Sequence, residues 1–304
     1  MTHNSHKQKT SKLIVIVGPN ASGKSELAVA LAKKFNGEVI SADSRQVYKG
    51  MDIGSGKIKK SETKGIPHHL LDVASPKSVF TVTRYRQLAL KAVEKIRRAG
   101  KIPILCGGTG FYIQAVIDGI TIPQVKPDWK LRQQLEKLPA EKLYSILRKL
   151  DPDRAKSIEP QNPRRLIRAI EIVKTTGKPV PALKKQPLGY EILFLGIKKS
   201  EKELKRLIER RTDARIRKGM VAEVRKLKNS GLSWNKLESF GLEYRAVSQF
   251  LQNKTSRQKM IDTIEKEDWQ YAKRQMTWFG RDKRIRWIKA KAQALSPVKK
   301  YLSS

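Results

Sequence analysis

The sequence predicts an α/β fold: a parallel sheet flanked by helices and interrupted by a mainly helical insertion. Three observations predict it. A glycine-rich loop, Gly18-Pro19-Asn20-Ala21-Ser22-Gly23-Lys24-Ser25, fills the phosphate-loop pattern G-x-x-x-x-G-K-[S/T] between an apolar run and a helical one. Further apolar, β-branched runs then alternate with helical stretches. After Gly119 the texture changes to short basic segments punctuated by proline, before one more apolar run closes the pattern.

Taken in chain order, Met1–Lys12 is a polar, lysine-dotted basic arm without the apolar stretch of a signal peptide. Leu13–Val17 is apolar and β-branched, as a strand buried on both faces requires. Glu26–Ala32 follows the loop with strong helix formers at helical spacing. Glu38–Ala42 reads as a second strand and ends in Asp43-Ser44-Arg45-Gln46. The loop Met51–Lys57 and the segment Pro67–Asp72 lead to a helix over about 83–99, and then to a third strand, Ile102–Cys106, running into Gly107-Gly108-Thr109-Gly110. Alternation at this spacing gathers ligands at the carboxyl ends of the strands, where Asp43 and Thr109 both fall. A fourth strand, Glu191–Ile197, returns after the proline-rich stretch. The expected layout is a P-loop NTPase-like core of residues 13–123 and 189–304, with a helical insertion of residues 124–188. From Ser200 to about Ile288 the chain reads as helices rich in Arg and Lys, interleaved with Trp234, Tyr244, Trp269, Tyr271, Trp278 and Trp287.

The loop carries definite chemistry. Its glycines let the backbone curl so that N–H groups face phosphate oxygens, and the following helix adds the positive end of its dipole. Lys24 is placed to reach a terminal phosphate, and the Ser25 hydroxyl to hold Mg²⁺. The bare pattern arises by chance in roughly one chain in a hundred of this length, and its strand–helix setting makes accident rarer still.

Charge is the second clue. Against 65 Lys and Arg stand 28 Asp and Glu, a net charge of +37. Such an excess opposes folding by self-repulsion, so a polyanionic partner is the economical explanation. Lipid is the rival polyanion, but no apolar run approaches membrane-spanning length and no lipidation motif is present. The basic residues are also spread along the chain, which favours nucleic acid. One cysteine, Cys106, excludes a disulfide framework and a cysteine metal site, and an intracellular, cytoplasmic protein is expected. His68 and His69 lack further ligand spacing and are read as bracing their loop.

A P-loop kinase or ATPase usually carries an acid at the end of an apolar strand. Here the third strand ends in Cys106-Gly107-Gly108-Thr109, and Asp43 is the one strand-end carboxylate beside the loop. One carboxylate, one hydroxyl and a phosphate cradle suit departure of diphosphate better than movement of a phosphoryl group.

Six motifs occur in order: GPNASGKS, DSRQVYKGMDIGSGK from Asp43, PHHLLD from Pro67, CGGTGFY from Cys106, NPRRLIRAIEI from Asn162 and AKRQMTWF from Ala272. Together they closely resemble the tRNA dimethylallyltransferases, or tRNA isopentenyltransferases, bacterial members above all, from about Leu13 to Trp287. The resemblance implies transfer of a dimethylallyl group from its diphosphate to N6 of the adenosine just 3′ of the anticodon in tRNA. It implies that Gly18–Ser25 hold the diphosphate with Mg²⁺, and that Asp43 is the general base. Thr109 matches a threonine that hydrogen-bonds the leaving group, and Arg211 an arginine near the diphosphate. Asp43, Ser44, Arg45 and Gln46 match the segment meeting the target base, which must leave its stack to be reached. Arg132, Arg164, Arg165, Leu166, Ile167 and Arg168, with Lys273, Arg274, Gln275, Thr277 and Trp278, match tRNA contacts. Tyr244 and Arg245 match a family segment whose glutamine is here Ala246. No Cys-His pattern predicts a zinc-finger extension, and a monomer is the simplest expectation.

Alternative readings stand beside these. Thr109 could cap the helix after its glycine turn, and Arg164, Arg165 and Arg168 could form a solvated face. The tryptophans near the C-terminus are partly core, with Trp278 the one expected near RNA. Rival functions are a nucleotide kinase, an isopentenyltransferase acting on free adenylate, and a non-enzymatic RNA-binding module. The basic insertion argues against a small acceptor, which needs no such grip.

Overall fold

The computed structural model describes residues 11–120, 123, 125–182, 185–187 and 189–304. Up to residue 10 the expected basic arm lies outside them, whereas Lys12 already belongs to the first strand and donates to the Tyr301 carbonyl at 2.6 Å.

Six strands, β1 (Ser11–Val17), β2 (Gly37–Ala42), β3 (His68–His69), β4 (Ile102–Gly107), β5 (Tyr190–Ile197) and β6 (Arg286–Ile288), form one sheet in the order β3-β2-β4-β1-β5-β6. Every pairing is parallel. Leu13–Val17 are wholly buried because the sheet is covered on both faces, and alternate side chains feed two cores. Leu13, Val15 and Val17 pack with Tyr85, Val93 and Val247, while Ile14 and Ile16 pack with Leu27, Leu31 and Val298.

The four strands expected from the sequence are present, and the helix expected near 83–99 spans Val82–Arg98. Two strands were not foreseen. His68–His69 is too short to carry a pattern. Arg286–Ile288 corrects the expectation of helix to Ile288: the long helix Arg257–Gly280 ends at residue 280, and the chain turns to pair Arg286, Trp287 and Ile288 with Leu195, Gly196 and Ile197 of β5.

Register decides what the sheet can do. Ala42 pairs with Gly107, and Ile16 and Ser41 both pair with Cys106, so β1, β2 and β4 end at one level. The loops carrying Gly18, Asp43 and Thr109 therefore emerge together at the carboxyl edge. Gly107 makes that closeness possible, because a Cβ there would run into the Ala42 carbonyl of the neighbouring strand.

The second compact unit is Gly119–Gln186, against the 124–188 expected for the insertion. Three of its helices start where short polar residues cap them: Asp128 accepts from Leu131 N at 3.0 Å, Asp151 from Arg154 N at 2.9 Å and Asn162 from Arg165 N at 3.3 Å. Pro152 and Pro163 occupy first helical positions. Leu143, Leu147, Leu166 and Ile170 are fully buried in its core.

Gly107→Ala should push β2 and β4 apart, lowering stability by about 1–3 kcal/mol, the usual cost of overpacking. Urea unfolding of the variant checks this; an unchanged midpoint would mean that the strands do not need this contact.

Candidate active site

At the end of β1 the backbone turns through Gly18 (φ +148°) and Gly23 (φ +89°), and Ala21 between them is also left-handed at φ +61°. A left-handed alanine costs about 1–2 kcal/mol, so contacts beyond the loop must hold this shape. Gly23 precedes the helix Lys24–Lys34, with Ser25 exposed in its first turn. Lys24 is curled back on its own loop and donates to the Pro19 carbonyl at 2.6 Å. Removal from water lowers its pKa to about 8; Arg211 pulls the same way, and Cys106 and Asp43 oppose.

Asp43 is half-buried just past β2. Its Oδ1 accepts from Arg45 N at 2.8 Å and Gln46 N at 3.3 Å, an Asx turn that fixes the carboxylate. Oδ2 accepts no hydrogen bond from the described residues. Thr109 does not cap its helix. Instead its Oγ1 accepts from Ser44 N at 3.1 Å, tying the loop after β2 to the loop after β4. Tyr271 lies near this hydroxyl, and burial pushes its phenol pKa up to about 12.

Asp43, Ser44, Arg45, Arg211 and Arg274 line one cavity of about 310 Å³, together with Asn20 of the phosphate loop, Phe240 and Glu243. Removal from water and the neighbouring Arg215 bring the Arg211 pKa down to about 10. Arg215, one helical turn on, is buried in an ion pair with Glu243 and lies 3.7 Å from the buried Asp268. Burial and Glu243 raise the Asp268 pKa against the pull of Arg215 and Arg211. The arrangement is a cationic pocket with one accessible carboxylate, suited to holding a polyphosphate while a proton is taken nearby.

A family model described as IPP transferase matches residues 46–283. The chain belongs to the IPP transferase family. Among curated relatives, the tRNA dimethylallyltransferase of Acetivibrio thermocellus is 39% identical over 284 residues, 91% of each chain. That of Carboxydothermus hydrogenoformans is 39% identical over 297 residues, 95% of each chain. Among solved structures, the full-length tRNA isopentenylpyrophosphate transferase of Bacillus halodurans matches with TM-score 0.72 and 35% identity over 96% of both chains. A eukaryotic dimethylallyltransferase acting on tRNA matches with TM-score 0.78 and 28% identity over 97% of this chain and 80% of that one.

Within this IPP transferase fold the expected RNA-contact residues divide. Lys273, Arg274 and Thr277 are exposed on the helix Arg257–Gly280. Gln275 is not: it is buried, with its Oε1 accepting from Asn20 N at 2.8 Å and its Nε2 donating to Gly108 O at 3.0 Å, so both ends of its amide are engaged within the protein. Trp278 is half-buried, with its indole against Gly110 and the main core. Arg45 donates to Phe240 O at 2.6 Å, and Gln46 Nε2 to Gly56 O at 3.3 Å, so both brace the site.

In the unit Gly119–Gln186, Leu166 and Ile167 are core residues, which corrects their expected role: apolar side chains packed away from water cannot meet RNA. Arg132 and Arg168 converge on Glu171, which is wholly buried. Arg132 donates twice, at 2.8 and 2.7 Å, and Asp128 N once at 2.7 Å. Arg164 and Arg165 are exposed, Arg165 pairing with Glu159 at 3.2 Å.

His69 Nε2 lies 2.7 Å from Glu38, and His68 Nδ1 lies 2.8 Å from Ile66 O, so both brace the edge of the sheet. Among the described residues no group of three or more His, Cys, Asp or Glu could hold a metal ion. Sequence reading does not single out Arg215 or Asp268. The hint for Arg215 is its i,i+4 spacing from Arg211; Asp268 offers none.

Lys24 is cationic below pH about 8 and neutral above it, so its attraction for an anion fades as pH rises through that value. Calorimetric binding of inorganic diphosphate should therefore show a gap between the unaltered protein and Lys24→Ala that is wide at pH 7 and narrows above pH about 8. A gap that holds constant would place Lys24 outside the anion site.

Proposed function

We propose that the protein transfers a dimethylallyl group from dimethylallyl diphosphate to N6 of the adenosine 3′-adjacent to the anticodon of tRNA, releasing diphosphate. The observation that carries this reading is one cavity at the level edge of β1, β2 and β4, lined by Asp43, Arg211 and Asn20 of the phosphate loop, with Thr109 hydrogen-bonded to the lining residue Ser44. The names of the curated relatives and the net charge of +37 support tRNA as the acceptor.

In this reading Asp43 takes the N6 proton through Oδ2, because Oδ1 is occupied by its turn. The nitrogen lone pair forms the new N–C bond as the allylic C–O bond breaks, and the electron pair leaves with the diphosphate. Lys24 leaves the Pro19 carbonyl and, with Arg211, neutralises the departing charge. Thr109 is held on its acceptor side by Ser44 N, so its hydroxyl proton can turn to the leaving group. An adenine amine is a poor nucleophile, so placement carries much of the rate.

The residues fit Mg²⁺ as a diphosphate complex. Ser25, exposed in the first turn beyond the loop, would hold it through its hydroxyl, alongside the substrate's phosphates. Bound there, Mg²⁺ would add charge neutralisation. The protein works as a cytoplasmic monomer in this reading, alongside its tRNA substrate, and among the described residues no helix is long and apolar enough to cross a membrane.

The direct test is mass spectrometry of tRNA nucleosides after incubation with dimethylallyl diphosphate and Mg²⁺; absence of prenylated adenosine would end the proposal. Asp43→Asn keeps shape but cannot accept the proton, so single-turnover transfer should fall by about two to four orders of magnitude with tRNA affinity nearly unchanged. Rescue of that variant by excess Mg²⁺ would assign Asp43 to the metal shell instead.

The exposed and engaged arginines should also separate. Arg164→Ala and Arg165→Ala should each lower the salt slope of tRNA binding by about one unit, as for a lost phosphate contact. Binding titrations across salt concentrations decide it, and an unchanged slope would leave both on a solvated face.

A further inference from the structure

The helix Arg257–Gly280 lays one face along both catalytic loops. Asp268, Tyr271, Gln275 and Trp278 follow the spacing of a single helical stripe. Asp268 Oδ1 accepts from the Asn20 side chain at 3.2 Å, Tyr271 lines the cavity with Asp43 and Ser44, and Trp278 packs on Gly110. Gln275 stands between them and touches both loops at once.

The peptide it holds is the informative one. Asn20 N and Pro19 O are the two ends of one peptide group. The N–H donates to Gln275 Oε1 at 2.8 Å, and the carbonyl accepts from Lys24 Nζ at 2.6 Å. A peptide plane is rigid, so fixing its N–H fixes where its carbonyl points. The same Gln275 amide donates to Gly108 O, which sets the phosphate loop against the loop bearing Thr109. The left-handed Ala21 next along gives the loop strain to relieve if this hold is lost.

We propose that Gln275 is a positioning residue for the diphosphate donor: it orients the Pro19–Asn20 peptide, and through it Lys24, and fixes the spacing between the phosphate loop and Thr109. This rests on the function proposed above and adds a residue that touches neither substrate. The neighbouring Lys273, Arg274 and Thr277 are exposed on the same helix, so an RNA-facing role for Gln275 is the alternative that must be separated.

Gln275→Met keeps length and volume but removes both hydrogen bonds. Its dissociation constant for inorganic diphosphate should rise about tenfold, the weight of one net hydrogen bond of about 1.4 kcal/mol. Its KM for dimethylallyl diphosphate should rise in step, while tRNA affinity stays within about twofold. Hydrogen exchange should speed up in peptides covering residues 18–24 and 107–110 and stay unchanged in the helix Val82–Arg98, whereas a general loss of stability would speed both. If Gln275→Met proves too unstable to assay, Gln275→Leu carries the same comparison. Weakened tRNA binding with normal diphosphate binding would overturn the proposal in favour of an RNA contact, and unaltered values for both would show the two bonds to be incidental. If the unaltered protein itself bound no diphosphate, the functional reading would fall and this proposal with it; if only the variant comparison fails, that reading stands.

Discussion

The structure depends on three parallel strands ending level. Because β1, β2 and β4 are neighbours in register, the loops after Val17, Ala42 and Gly107 have no choice but to meet. That convergence is tighter than side chains would permit: at Gly107 the neighbouring strand's carbonyl occupies the place of a Cβ. Backbone proximity lets Ser44 N reach Thr109 Oγ1 and Thr109 N reach Ala42 O at 3.1 Å each. Main-chain N–H groups thus tie the loops to one another and to Asp43, and keep its carboxylate at a fixed place.

Much of this edge is legible in the sequence, and the reasons are local. The phosphate loop needs its glycines at fixed positions. Leu13–Val17 and Ile102–Cys106 must be continuously apolar because both faces of the sheet are covered. Asp43 and Thr109 are marked by standing directly after such runs. What is not legible depends on distance along the chain. Gln275 reaches Asn20 across 255 residues, and within a run of Lys, Arg, Thr and Trp it reads as one more RNA contact until its burial is seen. Glu171 is similar: in NPRRLIRAIEI it looks like an ordinary polar helix position, yet it collects Arg132 from another helix and Arg168 from its own. Arg286–Ile288 is illegible for another reason, since three residues carry too little periodicity to tell an edge strand from the end of a helix.

The same contrast explains how a chain of net charge +37 folds. Its basic residues are not all alike in state. Some, such as Arg132, Arg168 and Arg215, are committed to buried carboxylates and add specificity to the packing more than attraction for a partner. Others, such as Arg164 and Lys273, are exposed and free to meet phosphates. Counting basic residues therefore overstates the binding surface, and the useful quantity is the number whose carboxylate partner is missing.

Lys24 and Arg211 form a third class, and they connect the charge to the chemistry. Both are drawn out of water beside a second cation, and both have lowered pKa values, about 8 and about 10, as a result. Each unit of such a shift is about 1.4 kcal/mol of disfavour for the charged form, held in the free protein by the surrounding fold. In the proposed function an incoming diphosphate would offset that disfavour, and more of it as the allylic C–O bond breaks and negative charge gathers on the leaving oxygen. In the proposed reaction the attraction of these two cations for the leaving group thus grows toward the transition state, which is the condition for speeding a reaction and not merely tightening binding. The Pro19 carbonyl has a part in this balance, since its hydrogen bond holds the Lys24 ammonium in place until a stronger acceptor arrives.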